Sequence, residues 1–341
     1  GKVLCPAGRV CAAGRCVAPR LFDVCADKVD GAPCITPTSE TLRAVTLTEV
    51  GAVALGDEST VLLLDGAGWR GLSLSGPAVR LNALLMDGES GLVGADGGLL
   101  VQLEEGQLRR RQVGAAHQDV LTLWRRPGTR ELWIGGSGGL LMRAKDGRTF
   151  VQRHDLGDSE VVALWGDQDE LLGLTRAGML YALDLETGKG SRQDLRKVVS
   201  QARGRRFNGL WARSRDDLYV IGDQSTVLRF DGKRWSAMEL PAEVGSVELR
   251  AISGDAERVF VVGDGGTLLH LDGERGWVRE LPYPLSAKRL LSVAMGSAVE
   301  GAPMALAVGE GGILLERLDM GEPSTWITWS YEGSCLQGSC L

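Results

Sequence analysis

A seven-bladed β-propeller of four-stranded antiparallel blades, an all-β fold, is predicted by three observations: a repeat, short strand-like runs between turns, and almost no helical periodicity. The repeat is clearest in VVGDGGTLLHLDGERGW (Val261 to Trp277), LGDESTVLLLDGAGW (Leu55 to Trp69) and IGDQSTVLRFDGKRW (Ile221 to Trp235). Glycine, acid, threonine and Asp-Gly stand in register in all three. Aligning the chain on the glycine that closes the second apolar run places it at Gly56, Gly94, Gly135, Gly173, Gly222, Gly263 and Gly309, spaced 38 to 49 residues apart. A β-helix would need shorter coils, of about 20 to 30 residues. Strands separated by short turns also leave no room for the long crossovers of a parallel sheet.

Each unit reads as four strands. A leader such as LRAI is followed by a β-branched run such as RVFVVG, a third strand such as TLLHL, an Asp-Gly turn and an outer strand. The frame divides the chain into a cysteine-rich cap (residues 1–35), a linker with Pro37 (36–41), a propeller (42–331) and a tail (332–341). Blades are expected to begin near residues 42, 81, 121, 162, 208, 249 and 290. Blade four, around LLGLTRAGMLYALD, departs furthest from the pattern and lacks the Asp-Gly pair.

Leader strands end in Val45, Leu84, Trp124, Trp165, Trp211, Ile252 and Val293, which sets the three tryptophans at an aliphatic site between blades. Trp69, Trp235, Trp277 and Trp326, with Phe150 as a substitute, open the outer strand, where a large ring can cover the blade's edge. Asp65, Asp231 and Asp272 precede glycines that can take the positive φ of a tight turn. Asp57, Asp223, Asp264 and Glu310, with Asp96 one place later, should ring one face. They are expected to bond their own turns, because the alternating oxygen ligands of an EF-hand are missing.

Lys plus Arg total 38 against 44 acids, for a formal charge of -6 and a pI near 5.3, which argues against nucleic acid as a general partner. No apolar run approaches the roughly 20 residues needed to cross a bilayer. The sequence starts at Gly1 and not at methionine, so any signal peptide or lipid-bearing residue would lie upstream of it.

Cys5, Cys11, Cys16, Cys25 and Cys34 crowd one end and Cys335 and Cys340 the other, with none between. Their spacing lacks the short pairs of zinc sites, and no histidine precedes His117. A disulfide-stapled cap follows, and with it an oxidising location: periplasmic, outer-membrane-associated or extracellular. Five cap cysteines cannot all pair among themselves, so a bridge to the tail is expected.

No metal or cofactor is expected. His117 and His154 fall in successive connections near Asp155 and Asp158, and solvated loop histidines account for them. No P-loop, GxSxG or dinucleotide fingerprint sits in a strand-to-helix context. The longest connection runs from about Lys189 to Arg206 and carries Lys189, Arg192, Arg196, Lys197, Arg203, Arg205 and Arg206 against Asp194 alone. Ser191 with Asp194 resembles a helix start. A solvated helix bridging two blades explains such a run, but its charge opposes that of the chain and it opens on the face with Asp57, Asp223 and Asp264. It is the candidate binding surface, for a protein partner or an anionic polymer.

The blade pattern, with AKDGRTF (Ala144 to Phe150) as a degenerate relative of the aspartate box SxDxGxTW, resembles BNR-type propellers, a group that includes sialidases and photosystem II assembly factors. The N-terminal cysteines resemble those of bacterial envelope lipoproteins. The resemblance implies a propeller whose top face binds a partner, and no site residue carries over. A sialidase-like glycoside hydrolase would need three arginines and a tyrosine–acid pair, and Tyr181, Tyr219, Tyr283 and Tyr331 sit in no such context. A non-catalytic protein-binding or assembly module is the preferred reading; the enzyme and a glycan-binding lectin are the alternatives.

Overall fold

Alternating apolar residues in short runs, closed by glycine-rich turns, commit most of this chain to antiparallel sheets. The computed structural model describes residues 38–48, 51–65, 68–153, 157–282, 287–296, 305–318 and 325–329, with the short strands Val3–Leu4, Val10–Ala12, Arg15–Val17 and Ser339–Cys340. Seven four-stranded antiparallel sheets are present, each built from four consecutive strands. Their first strands are Leu42–Thr48, Leu81–Asp87, Val120–Arg125, Val161–Gly166, Phe207–Ser214, Leu249–Gly254 and Leu290–Met295. First strands of successive blades adjoin, and that of blade seven meets that of blade one. The ring is therefore closed.

Closure uses no exchanged strand. Blade one and blade seven share a core of Leu42, Val45, Leu62 and Leu64 with Ala294, Leu306, Val308 and Leu314, and the Ser292 hydroxyl accepts from the Val45 amide at 3.3 Å. Second strands are the most buried. Gly51–Gly56, Leu132–Gly136, Val259–Gly263 and Ala305–Gly309 are covered along their whole length, because sheet neighbours flank both edges and adjoining blades cover both faces.

The glycine frame shifts in three blades. The residue opposite the start of the first strand is Gly56, Ala95, Gly136, Thr175, Gly222, Gly263 and Gly309, so Gly94, Gly135 and Gly173 stand one or two places early. Close approach explains the position. A Cβ at Gly56, Gly136 or Gly309 would lie 1.9, 1.8 or 1.9 Å from the carbonyl oxygen of the residue preceding the blade's first strand.

Asp231 and Asp272 hold their turns through the side chain. Each carboxylate accepts from the amides two and three residues on, at 2.8 to 3.0 Å, and these bonds, with Arg275 foremost at Asp272, hold both carboxyls below the usual range. Positive φ falls on Gly232 after Asp231 but on Gly276, not Gly273, in the later turn. Blade four, lacking Asp-Gly, does the same with Asp184 and Gly188.

The cap and tail, with the side chains of Cys5, Cys11, Cys16, Cys25, Cys34, Cys335 and Cys340, lie outside the described residues, apart from four short strands. Among these, Val3–Leu4 pairs antiparallel with Ser339–Cys340, and Cys11 stands opposite Cys16.

Candidate functional site

Every first strand carries a bulge after its first residue, in all seven blades. A bulge re-aims the extra side chain. In blades one, two, five and six that residue is Arg43, Asn82, Asn208 or Arg250. Arg43 Nε donates to Asp57 Oδ1 at 2.5 Å, Asn82 Nδ2 to Asp96 Oδ1 at 2.8 Å, and Arg250 Nε and Nη2 to Asp264 at 2.9 and 3.0 Å. Arg289 pairs with Glu310 at 3.1 Å.

The ring of acids therefore exists, but its carboxylates face neighbouring strands and not their own turns. The reason is geometric: the acid's backbone closes the turn, as in Thr60 N–H donating to Asp57 O at 2.9 Å, which leaves the carboxylate free for the bulged residue. Asp223 differs, accepting from the Arg206 amide at 3.1 Å. Among the described residues no group of three or more His, Cys, Asp or Glu side chains is arranged to hold a metal ion. His117 stands by the 137–139 turn, and His154 and Asp155 lie outside the described residues.

The basic stretch divides in two, which corrects its reading as one insertion. Gly190–Asp194 is the fourth strand of blade four, paired with Met179–Asp184. Lys189 closes the turn at its start, where the Asp184 amide donates to the Lys189 carbonyl. That places Lys189 roughly 20 Å along the strand from Leu195. Arg192 stands opposite Tyr181 on the same outer strand. The strand escaped sequence reading because nearly all of it is exposed, without alternation.

The helix begins at Asp194, not Ser191. Its carboxylate accepts from the Arg196 amide at 3.1 Å and caps the single turn Leu195–Val198, which the 3-10 turn Ser200–Ala202 follows. Leu195, Val199 and Ala202 are buried with Phe207 and Leu210, and the Leu195 amide donates to Gly178 O. A Cβ at Gly178, whose φ is +88°, would strike the Phe207 ring at 2.7 Å, so glycine is required for this docking. The connection thus sits beside the second-to-third-strand turns of blades four and five, on the face of Asp57 and Asp264.

Five cations and no acid lie between Leu195 and Arg206. Arg196 is committed to Asp194 through Nε and Nη2 at 3.0 and 3.1 Å, an interaction that lowers the Asp194 pKa and raises that of Arg196. Arg205 Nε donates to Gln201 O at 3.3 Å. Lys197, Arg203 and Arg206 are exposed, and among the described residues none has an acid within ion-pair distance. Val198, between them in sequence, is 48% exposed.

Tyr181 and Tyr219 are buried. Burial, then the nearby Asp217 carboxylate, raises the Tyr219 pKa, the opposite of what a nucleophile needs. Tyr283 and Tyr331 lie outside the described residues.

No family model matches the sequence, and no curated protein matches it. Among solved structures the chain is similar to YCF48 bound to D1 peptide, with a TM-score of 0.64 and 15% identity over 83% of this chain and 94% of that one. It is also similar to YCF48 from Cyanidioschyzon merolae, with a TM-score of 0.63 and 12% identity over 82% and 96%. At these identities the likeness is one of fold.

Proposed function

We propose that this chain is a non-catalytic binding or assembly propeller that captures an acidic protein through the cationic ridge between blades four and five. The observation that carries the reading is the exposure of Lys197, Arg203 and Arg206 with no side-chain ion pair among the described residues, on a connection pinned by Leu195, Val199 and Ala202. The pinned backbone confines the ordering cost of capture to the side chains, about 0.5–1.5 kcal/mol each, and exposed Val198 adds apolar surface among them. On the same face Asp57, Asp264 and Glu310 are ion-paired with Arg43, Arg250 and Arg289, which reduces their opposition to the ridge's field. A propeller of similar fold bound to a peptide supports protein as the partner class.

Arg196 is better left in place, because it holds the helix cap. Replacing Lys197, Arg203 and Arg206 by glutamate should abolish retention of the protein on immobilised polyglutamate at physiological salt, with the thermal midpoint unchanged. Retention of the triple variant equal to wild type refutes the surface; retention of wild type on heparin alone assigns it to an anionic polymer. The segregated cysteines support a periplasmic, outer-membrane-associated or extracellular setting. Among the described residues no helix is long and apolar enough to cross a membrane.

A further inference from the structure

The tryptophan opening the fourth strand of four blades fills the seam with the preceding blade. Trp235 joins the core of Leu172, Leu174 and Phe207 and donates to Gln193 Oε1 at 2.9 Å; Trp277 packs with Tyr219 and Ile221; Trp326 packs edge-on to Phe260 with centroids 5.5 Å apart. Trp69 packs against the core shared by blades one and seven. Two other seams are filled differently. Leu72, Leu84, Met86 and Leu108 occupy the one between blades one and two, and Trp133 with Tyr181 the one between three and four.

Between blades two and three the filling fails. Blade three has Phe150 in the tryptophan frame and a fourth strand of only Val151–Gln152. The core there is reduced to Leu100, Val120, Ile134 and Leu140 as fully buried members, and a cleft of about 680 Å³ opens beside it. Its floor is apolar: Leu92, Leu100, Leu103, Leu132 and Phe150. Four arginines, Arg111, Arg125, Arg130 and Arg148, line it as well, with Ser90, Gln102, Glu104 and Asp146. Arg125, Arg130 and Arg148 stand at the end of blade three that carries the first-to-second and third-to-fourth strand turns, opposite the cationic ridge, and Arg111, opposite Leu100 in the fourth strand of blade two, reaches over to them.

The acids of the cleft, Glu104 and Asp146, form no ion pair with these arginines. Asp146 stays ionised and faces its own turn, accepting from the amides of Arg148 and Thr149 at 2.8 and 2.6 Å and from the Thr149 hydroxyl at 2.8 Å, which holds its pKa down at about 2. Glu104 accepts from Gln102. Arg111 lies over the Phe150 ring at 5.5 Å and donates to the Arg148 carbonyl, tying the two blades across the cleft. Arg125 pairs with Asp87, yet its Nε is buried without a hydrogen-bond acceptor. Among the described residues Arg130 and Arg148 have neither an ion pair nor a side-chain hydrogen bond. Gly147, at φ +73°, brings the two together: a Cβ there would stand 2.8 Å from Arg130 O.

We infer that the seam between blades two and three is a binding site for a small organic anion, a carboxylate on an apolar body. Guanidinium groups match carboxylate geometry with paired hydrogen bonds, the apolar floor takes the body, and the cleft volume lies within the range of roughly 300–1,000 Å³ of small-molecule sites. The missing tryptophan makes the room. A macromolecular partner on the opposite face leaves this cleft accessible.

Calorimetric titration of the full chain with decanoate, with decanol as the neutral comparison, tests the inference. Saturable decanoate binding is expected, with decanol at least tenfold weaker. Arg130→Ala with Arg148→Ala, both exposed, should weaken decanoate about tenfold, the scale of one lost charge-assisted hydrogen bond. Phe150→Trp should abolish binding by filling the seam, and raise the thermal midpoint. The ridge variant at Lys197, Arg203 and Arg206 should bind decanoate as wild type does, so loss of the ridge function leaves this site standing. No saturable binding by wild type, equal affinity for decanol, or unchanged affinity in the double arginine variant each overturns it. Should Phe150→Trp not fold, the arginine pair still decides.

Discussion

Replacing Gly56 by alanine isolates the role of the repeat glycine. Its backbone, at φ -171° and ψ -147°, is extended, so freedom of φ is not the issue. Space is. The added Cβ would stand 1.9 Å from Thr41 O and 2.9 Å from Leu42 Cα, where real Cβ contacts under 3.0 Å essentially never occur, so the chain must yield by more than an ångström. The Asp57 N–H to Thr41 O bond of 2.9 Å lies in the path. Blade two shows the available relief. Ala95 takes the same place at φ -135° and ψ 170° and keeps the equivalent bond, Asp96 N–H to Arg80 O, at 3.0 Å. Blade one can reach that state by turning φ and ψ about 40° each, so the fold should survive at a cost. Overpacking costs about 1–3 kcal/mol, offset by the about 0.4–1 kcal/mol that alanine gains through the unfolded chain. Gly71→Ala in the same blade meets nothing within 4 Å and should show the gain alone. Urea unfolding should separate the two variants by about 2 kcal/mol. Equal midpoints would refute close approach as the reason for this glycine.

Trp326→Ala should be among the most damaging single changes, about 3–5 kcal/mol by urea unfolding, because the ring is 1% exposed and edge-on to Phe260. Arg215 of blade five reaches Asp167 and Asp169 of blade four, and its hydrogen bonds hold the Asp167 carboxyl down at about 2. A depressed carboxyl stabilises above its unfolded value of about 3.9 and loses that contribution as pH falls through about 2. The stability curves of wild type and Asp167→Asn should therefore differ at neutral pH and converge near pH 2. Both partners are over a third exposed, so a double-mutant cycle with Arg215→Met should give less than about 1 kcal/mol. Non-reducing peptide mapping should find a bridge between the tail and the N-terminal cysteines, stabilising by about 5 kcal/mol in the chain-entropy limit; a lone Cys335–Cys340 bridge rejects it.

Blade count and strand order were legible because turn chemistry and alternation repeat together. Reading the frame from glycine erred where the local sequence offers several. GADGG and GGSGG give blades two and three two equally good alignments, and in blade four the true position is Thr175. The role belongs to a site that excludes a Cβ at one backbone setting and accepts it at another, so residue identity marks it only in some blades. Gly190–Asp194 failed for a different cause. An outer strand with solvent on both sides has no apolar alternation to read.

The two candidate surfaces differ in the same way. Lys197, Arg203 and Arg206 could be found from charge alone, because a run of cations in an acidic chain is a one-dimensional feature. The cleft between blades two and three could not. It arises from a residue too small for its frame, Phe150 where four blades place tryptophan, combined with a shortened fourth strand and arginines contributed by two blades. Sequence pattern marks Phe150 as a mere substitute, and only packing converts the lost ring volume into a cavity. The recurring bulge lies between these cases: the polar second residue of the first strand, Arg43, Asn82, Asn208 or Arg250, is visible as an interruption of apolar spacing. For Arg43, Asn82 and Arg250 its meaning depends on an acid contributed by the turn after the second strand, 14 residues on in Arg43–Asp57, Asn82–Asp96 and Arg250–Asp264, whereas Asn208 bonds Glu248 and the Leu249 carbonyl. That shared separation makes the pairing a property of the repeat, so sequence can supply it once the blade register is known.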